Sequence, residues 1–178
     1  MKLNDPYDAI KLLLQNKVRL LLIGVFAVNN YARDSSAAYM TQDCDILLQP
    51  DPKNLRKAVD AFYKGKYALQ CGGEPLIKPD SLTLRRIIEH RALIRAAKPR
   101  RMTIDLVLEA KGFSFEQWHR RRKTFTVNDL KVPVASLSQL LRSKELSGRD
   151  KDRKFLALYH SQVREWLEWK PSKELAKK

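Results

Sequence analysis

Apolar positions recur along the chain with two periods, near 3.6 and near 2, and the switches between them divide it into helices and strands. Asp5-Pro6 reads as a helix start, an N-cap followed by a proline at the first helical position, and that helix runs to about Asn16 with Ile10, Leu13 and Leu14 as one stripe. Val18 to Ile23 reads as a buried strand, Gly24 as a tight turn, and Val25 to about Ala38 as a helix. The strand around Asp43 to Leu47 follows, then a Pro50-Asp51-Pro52 loop and a helix from Pro52 to Lys64 closed by Gly65. Tyr67 to Gln70 is a short strand ending at Cys71-Gly72-Gly73. Leu82 to His90 has helical spacing, and Ala92 to Ala96 pairs as a hairpin, through Lys98-Pro99-Arg100, with Met102 to Leu108. Phe115 to Arg122 reads as a short helix, and Phe125 to Val127 and Lys131 to Val134 as edge strands about an Asn128-Asp129 turn. Ser136 to Gln139 has the form of a capping box opening a helix with Leu137, Leu140 and Leu141 on its buried side. The last helix, about Arg149 to Trp169, repeats Phe155, Leu156, Tyr159, Val163, Trp166 and Leu167.

Chemistry concentrates where the third of these segments meets the fourth. Side chains alternate along a strand, so Asp43 and Asp45 point to one side while Cys44 and Ile46 point into the core. Two ionised carboxylates this close repel, and a divalent cation is the usual means of keeping both charged. With Gly24 and a helix start beside them, offering backbone N–H groups to a phosphate, they read as a site for a metal-bound nucleoside triphosphate. A third carboxylate, Asp105, lies on the apolar run Met102 to Leu108, on the face of Thr103 and opposite Ile104 and Leu106. An aspartate there is costly unless it is paired or metal-bound.

An apolar strand, a glycine turn, a helix, Asp-x-Asp and a later third Asp together resemble the nucleotidyltransferase fold. Val132-Pro-Val-Ala-Ser136-Leu-Ser-Gln-Leu-Leu141, Lys144 and Arg149-Asp-Lys151-Asp152 resemble a block of the minimal nucleotidyltransferases, a group that includes the abortive-infection type E toxins of bacterial toxin–antitoxin systems. The resemblance spans about residues 18 to 160. It implies an α/β (α+β) fold, a mixed β-sheet flanked by helices with a helical C-terminal extension. It also implies an enzyme that moves a nucleoside monophosphate from an NTP to an acceptor hydroxyl on RNA, tRNA or a protein, with Mg²⁺ or Mn²⁺ as cofactor. Asp43 and Asp45 would hold one or two ions, and Asp105 would complete a second metal site or take the acceptor's proton. Gly24, Val25, Thr41, Lys144 and Lys151 would lie on the nucleotide side, and a cognate antitoxin is an implied partner. The chain departs from the family pattern at Val25, where relatives carry Gly or Ser, and at Tyr39, where many carry Arg. Those departures keep a second reading open, a catalytically degenerate copy that serves as a basic nucleic-acid- or partner-binding module. Transfer to a small molecule such as an antibiotic is a third, which a deep acidic acceptor pocket would support.

Charge bears on the acceptor. With 35 Lys and Arg against 20 Asp and Glu among 178 residues, the net charge is +15, which suits a polyanionic partner, RNA first. The run Arg120, Arg121, Arg122 and Lys123 either grips a nucleic-acid backbone or is a solvated face, and Trp118 either stacks a base or packs inward. Lys144 and Lys151 are open to the same pair of readings, phosphate contacts or ion pairs at the start of the last helix. His90, His119 and His160 have no metal-ligand spacing, and Gly-x-x-x-x-Gly-Lys, Gly-x-Ser-x-Gly and Cys-x-x-Cys motifs are absent, which removes support from kinase, hydrolase and zinc-finger readings. One domain over 1–170 with a basic tail at 171–178 is expected, as are reduced Cys44 and Cys71 and a cytoplasmic location, since no apolar run is long enough for a membrane span and Met1 to Tyr7 lacks an apolar signal core.

Overall fold

The computed structural model describes residues 6–32 and 35–168. Tyr7–Gln15 forms α1, Leu20–Leu22 β1, Gly24–Asn29 α2, Asp43–Leu48 β2 and Pro52–Lys64 α3. Ala68–Cys71 and Glu74–Pro75 form β3 and β4, Ser81–Glu89 α4, Ile94–Ala97 β5 and Thr103–Val107 β6. Phe115–Arg120 is α5, Lys123–Val127 β7, Leu130–Val134 β8, Leu137–Ser147 α6 and Asp150–Glu168 α7. The strands make one eight-stranded sheet in the order β4-β3-β5-β6-β2-β1-β8-β7. It is mixed, because β2 runs parallel to β6 and β1 parallel to β8 while the other neighbours are antiparallel.

Alternation assigns the two faces. Cys44, Ile46, Ile104, Leu106, Ile94, Ala96 and Leu69 are buried on one side of the sheet, in a common core with Ile10 and Leu13 of α1 and Leu55, Ala58 and Phe62 of α3. Asp51 starts α3 by accepting from the Asn54 amide, and Pro52 occupies its first turn. The opposite face carries Asp43, Asp45, Thr103 and Asp105. Over β2 and the end of β6 it is roofed by α6 and α7; over β3 and β5 it is open, so that Ala68, Gln70, Arg95 and Ala97 are exposed.

Several local expectations are corrected. The helix after Gly24 ends at Asn29, and a short 3₁₀ turn at Ser35–Ala37 replaces its second half. Asn29 accounts for this stop: its side chain accepts from the Tyr39 N–H and donates to the Tyr39 carbonyl, both at 2.8 Å, holding the returning chain. Ser136 makes no capping box; its hydroxyl donates to Gln139 Oε1 at 2.8 Å, and the Gln139 amide turns away to the Gln117 carbonyl at 3.0 Å. The reciprocal box forms instead at Ser114 and Gln117, at the start of α5. Of the two strands about the Asn128-Asp129 turn, only β7 lies at an edge of the sheet, since β8 is hydrogen-bonded to both β7 and β1. Trp118 packs inward, 1% exposed. Asp5, Trp169 and the tail at 171–178 lie outside the described residues.

Candidate active site

The register of β2 against β6 aligns Asp43 with Thr103 and Asp45 with Asp105, which puts three carboxylates on neighbouring positions of one face. An oxygen from each lies within 4.8 Å of the others. Gly24, the first residue of α2, meets them from the side. Its φ is +72°, a left-handed value that glycine adopts freely, and a Cβ there would stand 2.1 Å from Asp45 Oδ2. The glycine is therefore required twice, for the turn and for room beside the carboxylate.

Burial, then the neighbouring Asp43 charge, push the Asp45 carboxyl up to about 6, with Lys151 and Lys144 partly offsetting them. A cation placed among the three acids would reverse that shift, so Asp43 and Asp45 fit a divalent ion by chemistry as well as by spacing. Thr41 donates to Asp43 Oδ1 at 3.0 Å and fixes its rotamer. Asp105 differs from the other two. Arg95, directly across on β5, donates Nε and Nη2 to its two oxygens, each at 2.9 Å. This pair meets the cost of burying Asp105, which is 4% exposed.

Asp43 and Asp45 stand at one wall of a cleft of about 810 Å³ between the acidic face of the sheet and the α6–α7 pair, and Asp105 lies beside Asp45 outside that lining. Ile23, Gly24, Val25 and Thr41 line it on one side, Lys144, Ser147, Arg149 and Lys151 on the other, with Arg91, Glu109 and Lys111 at its rim. The helix pair is joined through Asp152, which is 1% exposed. It accepts from Lys144 at 2.9 Å, from Arg149 Nε at 2.7 Å and from the Ser147 hydroxyl. Those partners outweigh burial and hold its carboxyl at about 2. Gly148, in the left-handed region, makes the turn between α6 and α7. Lys144 is thus both ion-paired and a cleft-lining cation, while Lys151 is exposed, lines the same cleft and favours the charged form of Asp45.

The structure brings Gly24, Val25, Thr41, Asp43, Asp45, Lys144 and Lys151 to one cleft, with Asp105 beside Asp45. Arg120, Arg121, Arg122 and Lys123 are exposed and lie outside it. Tyr39 is drawn away from the acids into an aromatic group with Phe155, Tyr159 and Trp166 of α7, its hydroxyl donating to Gln162 at 2.8 Å. Sequence reasoning missed Arg95; the signal was available in the expected hairpin, whose register places an arginine opposite the buried aspartate. It also missed Met40, fully exposed at the cleft mouth, for which no sequence signal existed.

The backbone is similar to that of the lincosamide antibiotic adenylyltransferase LnuA in its lincomycin-bound crystal structure, with a TM-score of 0.55 over 91% of this chain and 94% of that one, at 14% identity. The chain has the nucleotidyltransferase fold. The crystal structure of an antigenic nucleotidyltransferase-like protein from Paracoccidioides brasiliensis matches at a TM-score of 0.44 and 19% identity, over 84% of this chain and 68% of that one. No protein-family model matches the sequence, and no curated protein matches it. Within this nucleotidyltransferase fold, the acidic face and the facing cations form a polar cleft bounded by β2, β6 and the α6–α7 pair.

Proposed function

We propose that this protein is a metal-dependent nucleotidyltransferase that moves a nucleoside monophosphate from an NTP to an acceptor hydroxyl. The observation that carries this reading is the convergence of Asp43, Asp45 and Asp105 within 4.8 Å, with Asp43 and Asp45 at the wall of a cleft whose other wall is cationic. Asp43 and Asp45 would hold Mg²⁺ or Mn²⁺, which when bound supplies charge neutralisation of the triphosphate and of the leaving pyrophosphate. Lys151, unlike Lys144, has no ion-pair partner among the described residues and is the freer cation for phosphate oxygens. Gly24 leaves the Asp45 carboxylate room, while Val25, lining the cleft, narrows the approach on the phosphate side. In the reaction the acceptor oxygen bonds to the α-phosphorus as the bond to the bridging oxygen breaks; pyrophosphate leaves and the hydroxyl proton passes to a carboxylate of the triad.

The acceptor we favour is RNA, tRNA included. Its support is the net charge of +15 and the exposed run Arg120 to Lys123. The block from Val132 to Asp152 supports a cytoplasmic toxin with a cognate antitoxin; no helix among the described residues is long and apolar enough to cross a membrane. A second reading, a small-molecule acceptor, is favoured by the near full-length likeness to an enzyme whose structure holds lincomycin. The rim of the cleft weighs against a cationic acceptor, because Arg91 and Lys111 stand there with Glu109.

The test is thermal unfolding of wild type, Asp45→Asn and Val25→Gly with each NTP, with and without Mg²⁺, followed by transfer of α-³²P label to bulk tRNA or to lincomycin. A Mg²⁺-dependent stabilisation lost in Asp45→Asn, with label on tRNA, is expected. Stabilisation only in Val25→Gly would instead identify a degenerate copy, and no response in any variant would sink the reading.

A further inference from the structure

We propose that Arg95 is the built-in counter-cation of the third carboxylate, so that the cleft takes one divalent ion, on Asp43 and Asp45, rather than two. The inference rests on the metal-site reading above and deepens it.

Both Asp105 oxygens are engaged by one guanidinium, at 2.9 Å each, in the planar two-point geometry that arginine and carboxylate share. The backbone pre-sets the pairing: Arg95 and Asp105 are partners in the antiparallel ladder of β5 and β6, so their side chains leave the sheet on one face at adjacent positions. Asp105 is almost fully buried, which leaves little access for a ligand atom or water to add to its oxygens. Arg95 lies on the part of the sheet that no helix covers, and half of its side chain is exposed, so it is held there by the carboxylate and not by packing. Asp43 and Asp45, by contrast, form no ion pair among the described residues, and they face the cleft. The triad therefore divides into a free pair, open to an ion, and a third acid already neutralised by the protein. A fixed monovalent guanidinium so placed also repels a second divalent ion.

Mn²⁺ binding to metal-free protein tests this without any substrate. MnCl₂ is titrated in and free Mn²⁺ is counted from its electron paramagnetic resonance signal, for wild type, Arg95→Ala, Arg95→Lys, Asp105→Asn and Asp45→Asn, each checked for folding by circular dichroism. Wild type is expected to bind one ion. Arg95→Ala, which strips the counter-charge from Asp105, should bind a second ion or bind the first about tenfold more tightly. Arg95→Lys, which keeps the charge, should stay at one, and Asp105→Asn, which uncovers the Arg95 charge without removing a ligand, should still bind one ion, about tenfold more weakly than wild type. Two ions in wild type, wild-type behaviour in Arg95→Ala, or loss of the ion in Asp105→Asn overturns the assignment of Arg95. The parent reading fails separately: Asp45→Asn binding Mn²⁺ as wild type does, or no binding by any variant, removes the metal site itself.

Discussion

Gly24 and Asp45 define each other, and the pair yields two predictions at the scale of single residues. Gly24→Ala must accommodate a Cβ that would otherwise lie 2.1 Å from Asp45 Oδ2, at a φ of +72°. The left-handed conformation alone costs about 1 kcal/mol with a side chain present. Displacing the carboxylate is the larger effect, and an ångström of misplacement at a reacting centre is expected to lower the transfer rate about 100-fold, read by single-turnover kinetics with excess enzyme. Asp45 itself is a stability liability in metal-free protein. Its carboxyl is raised from 3.8 to about 6, so the folded state holds the proton more tightly than the unfolded chain. Its stabilising contribution is fully present below about pH 4 and is lost as pH rises through about 6. Asp45→Asn should therefore be more stable than wild type in EDTA at pH 8, by up to about 3 kcal/mol, with the gap closing toward pH 4. Melting curves at the two pH values check the sign, and saturating Mg²⁺ should narrow the gap at pH 8.

Among the elements, α6 and α7 matter most, because they carry the cationic wall and are joined around one buried acid. Asp152 is held by Lys144, Arg149 and Ser147 with its carboxyl at about 2, below the unfolded value of 3.8. Its contribution, about 2 kcal/mol, is present above about pH 4 and is lost as pH falls through about 2. Asp152→Asn should cost at least that at pH 7 in urea unfolding, since Lys144 would be left without its partner, and the difference should shrink as the pH is lowered from 4. Nucleotide binding should weaken with it, because Lys144 is aimed by this bond. The same helix α7 reaches the opposite lip of the cleft through Tyr39, whose ring is packed among Phe155, Tyr159 and Trp166. Tyr39 is thereby an anchor for the loop that presents Met40 and Thr41 to the cleft.

For the molecule as a whole, the excess of positive charge predicts RNA binding whose logarithmic affinity falls linearly with the logarithm of salt concentration. Replacing Arg120 and Arg121 by Ala should reduce that slope by about two if both touch phosphate, measured by filter binding between low and physiological salt, and should leave Mg²⁺-dependent NTP binding unchanged since neither lines the cleft. At this scale the division between sequence and structure is physical. Periodicity determined every strand but Glu74–Pro75, most helices and the direction of Asp43 and Asp45, because a two-residue repeat on a strand with one buried face leaves no other orientation. It also placed Asp105 on the face of Thr103, and the C-terminal block pointed to Lys144 and Lys151. Strand order was beyond it: nothing local says that β2 lies between β1 and β6, or that β5 sets an arginine against Asp105. Pairings between distant segments are chosen by the total burial of the folded chain and not by any one segment's preference. The tertiary structure alone therefore decided which carboxylates are free, which two cations are spent on Asp152, and how wide a cleft remains between the sheet and the last two helices.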